Sequence, residues 1–257
     1  MASLTTIINR ISFQFQQAVV GLLGMSVFSV CSAESAIALN GYVSIASDYV
    51  YRGVSLGGGR LSPSLSLAGN HDSGVYISLW AARDDLGGAF NDSRRRDTEI
   101  EYQLGYQRQF NADWSASVSH AWLEYQNRFQ PRNHDYRESR VNIHYRDRYS
   151  AFIGYARDIW TSGLDATTLA LSHRAAAPYG FYLEQELGIT DYNSQVDTRR
   201  NSSLGFIRLS VAKEILPRWS VALSYHYSKA SNDATFADER IGSQSVISST
   251  YHFDGEI

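Results

Sequence analysis

The chain is 257 residues long, with 23 basic and 26 acidic side chains and a formal net charge of −3. A balance this close to neutral excludes a protein that works by wrapping a nucleic-acid backbone in positive charge. A single cysteine excludes both a disulfide framework and a thiolate metal site.

In chain order the first element is a leader. Arg10 is the only basic residue ahead of an apolar run over 18–30, and small residues follow it. That is the layout of a secretory signal peptide. The run, about 13 residues long, falls short of the roughly 20 that a spanning helix needs. Residues 1–38 are therefore expected to be cleaved at the A-x-A site over 36–38. Cys31-Ser32-Ala33 offers a competing cut, and either one removes the cysteine. Residues 39–257 form one expected domain.

That domain reads as all-β. It is rich in tyrosine, poor in proline and has no long apolar run. Alternation with a period of two marks half-buried strands. Over 98–109, Ile100, Tyr102, Leu104 and Tyr106 alternate with Glu99, Glu101, Gln103 and Gln107. The spacing predicts twelve strands, near 41–52, 62–70, 75–82, 98–109, 114–125, 137–146, 149–157, 166–174, 181–191, 202–212, 219–228 and 241–253. Phe206-Ile207 interrupts the tenth and predicts a bulge there. Most strands match the roughly 9–11 residues that a tilted strand needs to cross a bilayer. Connections after odd-numbered strands are long and polar, and those after even-numbered strands are mostly short. Together these features predict a transmembrane antiparallel up-and-down β-barrel of about twelve strands in a bacterial outer membrane.

On this reading the stretch "SDYVYRGVS" (47–55) ends the first strand. Tyr49 and Tyr51 are expected to face outward in an interfacial girdle, with Asp48 and Arg52 facing the lumen. The same stretch resembles the opening signature of the TorF-type porins, the Gcw_chp family of proteobacterial outer-membrane proteins. Pro63, Ser73-Gly74-Val75-Tyr76-Ile77-Ser78-Leu79-Trp80, Glu99-Ile100-Glu101-Tyr102 and Ser249-Thr250-Tyr251-His252-Phe253 extend the resemblance. The chain departs from the family at 121–125, where a glycine- and proline-containing tyrosine motif is expected, and at the tail 254–257. The resemblance implies an outer-membrane barrel and supplies no substrate.

By phase, the lumen receives Asp48, Arg52, Glu99, Glu101, Arg140, His144, Arg174, Glu184, Glu186, His226 and His252. Opposed charges of this kind can line a narrow pore or lock together as a plug. The expected function is a porin-like channel for passive or weakly selective diffusion of small polar solutes. A non-conducting barrel with a structural or surface-interaction role is the alternative, its Arg-rich 83–97 loop meeting lipopolysaccharide phosphate. The expected partners are outer-membrane lipid, lipopolysaccharide and small polar solutes, with no cofactor and no metal. A third reading is a lipid hydrolase or acyltransferase built on an outward serine–histidine pair. It is weighed on His120, expected opposite Val141 and diagonal to Ser139, with no group to orient it.

Overall fold

The computed structural model describes residues 37–84, 97–126, 134–194, 196–197, 201–232 and 240–256. Its strands are β1 (Ile37–Ala46), β2 (Val50–Tyr51), β3 (Val54–Ser55), β4 (Ser62–His71), β5 (Val75–Asp84), β6 (Asp97–Gln109), β7 (Trp114–Gln126), β8 (Tyr136–Tyr145), β9 (Tyr149–Arg157), β10 (Leu164–Ala177), β11 (Phe181–Ser194), β12 (Ser202–Leu216), β13 (Trp219–Ala230) and β14 (Ser243–Glu256). The short β2 and β3 pair only with each other, and the remaining twelve close an antiparallel barrel. Closure comes from β1, which pairs with β4 on one side and β14 on the other. No barrel strand is left with an unpaired edge.

Alternation along each strand sorts the residues as expected. In β6, Tyr102 and Leu104 are 42% and 39% exposed on the outside. Their neighbour Gln103 points inward, hydrogen-bonded to Ser78 and Ser119. Leu65, Leu67, Ile77, Leu171, Leu187, Leu209, Leu223 and Ile247 continue the outer face as a belt of exposed apolar side chains. Monomers in water seldom carry a belt of this extent. Below it, near the short turns, Trp114, Tyr145 and Tyr149 form one ring cluster, and Trp219 packs on Tyr251.

Two expectations about strands are corrected. The first strand stops at Ala46 and does not run on to 52. Ser47 makes the last links to β14, donating its N–H to Ile247 O and accepting the Ile247 N–H on its hydroxyl. The chain then leaves the wall. In β12 the register is unbroken across Phe206-Ile207, and the shift lies between Glu214 and Leu216. Phe206 is an inward filler opposite Gly188 and Ser228, so an aromatic at an inward position had looked like a break in phase.

Candidate functional site: a barrel stoppered by its own hairpin

Within the segment 47–61 the chain turns into the barrel and is buried or half-buried through Gly57, while 58–61 are exposed on the way back to β4. Val50 pairs with Ser55 and Tyr51 with Val54, so Arg52 and Gly53 form a two-residue turn. Both have positive φ, 49° and 81°. That is the backbone a primed hairpin turn requires, and glycine supplies it without strain. The base of the hairpin is closed by Tyr49 O, which accepts the N–H groups of Leu56 and Gly57. Asp48 accepts the Ser55 hydroxyl at 2.8 Å. Burial raises the pKa of the Asp48 carboxyl, an effect the Ser55 hydrogen bond opposes.

The tip docks on the opposite wall. Arg52 meets Glu138 of β8 at 2.7 Å and donates to the Thr168 hydroxyl of β10 at 3.1 Å. Its guanidinium lies 4.7 Å from the Phe152 ring centroid and 4.6 Å from that of Tyr51, within cation–π range. Tyr51 donates to Glu138 at 3.2 Å. The Ser228 hydroxyl donates to Gly53 O at 2.5 Å. There is no room for a side chain at Gly53, where a Cβ would sit 2.6 Å from Phe206 Cβ and 2.7 Å from Ser228 Cβ.

Around the hairpin the loop end of the lumen is dry. Leu56 and Val54 are 0% and 1% exposed, in one cluster with Leu123, Tyr125, Tyr136, Tyr192 and Leu204 from the wall. The connection from β9 to β10 adds Ile159 and Trp160, the indole donating to the Tyr125 hydroxyl at 3.1 Å. Burying side chains of this size is worth about 1.5–3 kcal/mol each, which explains why a charged loop stays inside.

Tyr49 and Tyr51 are therefore not girdle residues, which corrects the outward assignment. Tyr49 packs on the inward ring of Trp80 at 5.4 Å. The excess of aromatic surface in 47–55 is met by dry packing inside the barrel. Asp48 and Arg52 do point into the barrel, but from the hairpin and not from a strand.

The register carries the other named residues to the inner face and separates them into groups. Glu99 is 1% exposed, in the dry part beside Tyr49 and Tyr125. Glu101 and Arg140 form a two-pronged ion pair with both contacts at 2.7 Å. Arg140 also reaches Glu138 at 2.8 Å. Arg52, Glu138, Arg140 and Glu101 thus alternate in sign from the hairpin to the wall. Gly154 leaves the space that Glu138 Oε1 occupies. Nearer the turns, Arg208 lies 3.2 Å from Glu186 and 3.8 Å from Glu184, which Arg174 approaches at 3.5 Å. His226 stands opposite Arg208 in register. His252 packs against Tyr42, and His144 borders the turn end.

Sequence reasoning missed Glu138 and Arg208, the centres of these two networks. Glu138 shares the phase of Arg140 two residues on, which was the available signal. Arg208 was hidden by the bulge expected just before it. Below the hairpin lies a chamber of about 570 Å³, which Arg52, Tyr51 and Tyr49 roof and Trp80, Phe152, Phe206, Glu101, Arg140, Glu186 and Arg208 line. A smaller space of about 300 Å³ shares Ser150, Ser172 and Arg208 with it.

On the outer face, His120 stands directly opposite Ser139 and not opposite Val141, its Nδ1 3.1 Å from the hydroxyl. The long connection is centred one residue earlier than expected. The ring rests edge-on against Trp122, and among the described residues no further hydrogen bond orients it. Among those residues, too, no group of three potential ligands could hold a metal ion. Arg94, Arg95 and Arg96 lie outside the described residues.

The family model described as "Bacterial protein of unknown function (Gcw_chp)" matches residues 31–155, which include the hairpin and Glu138 but not Thr168, Phe206 or Ser228. No curated protein matches the sequence. Among solved structures, the chain is similar to the KdgM porin at 10% identity and a TM-score of 0.47, covering 84% of this chain and 99% of that one. The COG4313 outer membrane channel from Pseudomonas putida F1 matches at 11% identity and 0.44, covering 90% and 98%. The NanC porin matches at 11% identity and 0.46, covering 83% and 97%.

Proposed function

We propose that the protein is a porin-like channel of the Gram-negative outer membrane for small polar solutes, with residues 47–61 as an inserted constriction. The observation that carries this reading is a closed barrel with an apolar outer belt around a chamber that is hollow at the turn end and stoppered at the loop end. In a bilayer a sheet must close so that every backbone group is paired, and the short turns of such barrels face the periplasm. The chamber then opens inward. Passage requires the hairpin to shift, and Arg52 with Glu138 is its catch. Glu101, Arg140, His144, Arg174, Glu184, Glu186, His226 and His252 line the route, while Asp48 and Arg52 belong to the constriction. Glu99 lies in the dry part. The outer rim meets lipid and lipopolysaccharide, and a cleaved leader directs export.

Planar-bilayer recording tests the reading. The intact barrel should show rare or small openings, and a variant with 48–60 replaced by a short glycine–serine link should conduct steadily. The dry loop end specifically favours the second reading, a non-conducting structural barrel. A folded hairpin-less variant that carries no current would establish that reading instead.

A further inference from the structure

The chamber beneath the hairpin has a chemistry of its own. The chamber's three guanidiniums, those of Arg52, Arg140 and Arg208, each lie within 3.2 Å of a carboxylate: Arg52 of Glu138, buried behind the lining, Arg140 of Glu101 and Arg208 of Glu186. The fixed charges cancel locally. An entering ion would give up hydration and find every opposite charge already engaged.

Apart from His226 and the aliphatic Val50, Ala170 and Leu171, the other side chains of the lining are of two kinds. Tyr42, Tyr49, Tyr51, Trp80, Phe152 and Phe206 bring six rings to one space. Among them stand uncharged polar groups: Gln103, Asn142, Ser150, Thr168 and Ser172. Gln103 and Thr168 are bonded to wall or hairpin neighbours and Ser150 to Ser172, but each hydroxyl and amide keeps further donor or acceptor capacity, which an apolar solute would cover at a cost. A compound with flat C–H faces and a rim of hydroxyls matches both halves, stacking on the rings while its hydroxyls bond to amides and hydroxyl groups. About 570 Å³ suits a small molecule and not a long chain.

We propose that this chamber binds a neutral polyhydroxylated ring compound, a mono- or disaccharide without charge. The inference deepens the channel reading and rests on it for the route, but not for the binding. The test is saturation-transfer NMR on the full barrel refolded in an amine-oxide detergent, which adds no sugar of its own. Maltose and methyl glucoside should receive saturation at millimolar concentration, with gluconate and glucosamine, their charged counterparts, binding much more weakly. Trp80→Leu should weaken sugar binding roughly threefold to tenfold, the loss of one stacking face. Because Trp80 also supports Tyr49, Tyr42→Leu is the second variant, with a heat-dependent gel shift to show that each barrel is folded. Equal or tighter binding of the charged sugars, no transfer to neutral ones, or unchanged binding in both folded variants would overturn the proposal. Bilayer recording is read separately. A silent barrel that binds maltose would remove the channel reading and keep this one, and a conducting barrel that binds no sugar would do the reverse.

Discussion

The two ends of the lumen are built from the same twelve strands and differ in what those strands send inward. Along β7 the inner residues run Ser115, Ser117 and Ser119 from the turns, then Ala121, Leu123 and Tyr125 toward the loops. Along β12 they run from Ser210 and Arg208 to Phe206 and Leu204. At the turn end, polar groups face an open chamber and pair across it. At the loop end, apolar groups meet a hairpin and exclude water. A strand whose inward side becomes apolar at one end is prepared for a protein neighbour there, and this difference separates a filled barrel from an open one.

Substitutions of like kind at the two ends should separate most in stability. Arg52→Glu sets a carboxylate against Glu138, which is 1% exposed. Breaking a buried pair costs about 3–5 kcal/mol, so the hairpin should undock, and protease should cut within 47–61. Arg174→Glu, in a pair whose arginine is 55% exposed, should change stability by less than about 1 kcal/mol and shift the reversal potential toward cations. Equal thermal destabilisation by the two would erase the distinction between the ends.

A second test sets inside against outside. Tyr102→Arg places a charge on the apolar belt and should cost about 2–4 kcal/mol near the membrane midplane. Gln103→Arg, one residue on, gives up hydrogen bonds worth about 1 kcal/mol each and keeps its charge in the lumen. Urea unfolding from lipid vesicles would rank them, and the reverse order would invert the faces.

The turn itself should be intermediate. Gly53→Ala must hold a positive φ and displace Phe206 or Ser228, a strain of about 1–3 kcal/mol. Hydrogen exchange should quicken at the amides of Leu56 and Gly57 while barrel amides stay protected. Uniform loss of protection would mean that hairpin and barrel form one cooperative unit.

The smallest effect concerns Asp48. Its folded pKa is raised by burial, so its contribution to stability is present at acid pH and is lost as pH rises through that raised value. The hairpin should therefore dock more tightly in mild acid. Asp48→Asn should flatten this dependence, measured as thermal midpoints across the acid range. An unchanged slope would assign it to other groups.

Much of the barrel was legible because alternation is a local property. Tyr102 against Gln103, or Leu223 against Ser224, needs only the neighbouring residues. A cleaved leader is likewise an expectation from a local pattern, and β1 begins at Ile37, ahead of the expected cut after Ala38. Pairing of Ile37 with His71 and Ala38 with Asn70 is kept whole by a cut after Ala33, and mass spectrometry of the mature protein distinguishes the two. The hairpin was illegible for the opposite reason. Tyr49 and Tyr51 alternate as well as any strand residues, and only contacts with Trp80 and Glu138 distinguish a ring facing lipid from a ring facing the interior. The signal lay elsewhere, in the apolar inward phase of Leu123, Tyr125 and Leu204. That phase acquires meaning once something is known to fill the lumen.

The seam between β1 and β14 joins residues some two hundred positions apart, as the bond from Ser44 to Ser249 shows, with a separation of 205. Contacts of that range form late in folding. The hairpin follows β1 directly and touches β8 and β10, and also β13, the neighbour of the closing strand, so all of its receiving wall except the seam itself precedes closure in chain order. The stopper can therefore be seated while the sheet is still open, and closing the seam would then zip the wall shut around it. A barrel made in that order would be born corked, and opening it would be an event of the finished molecule.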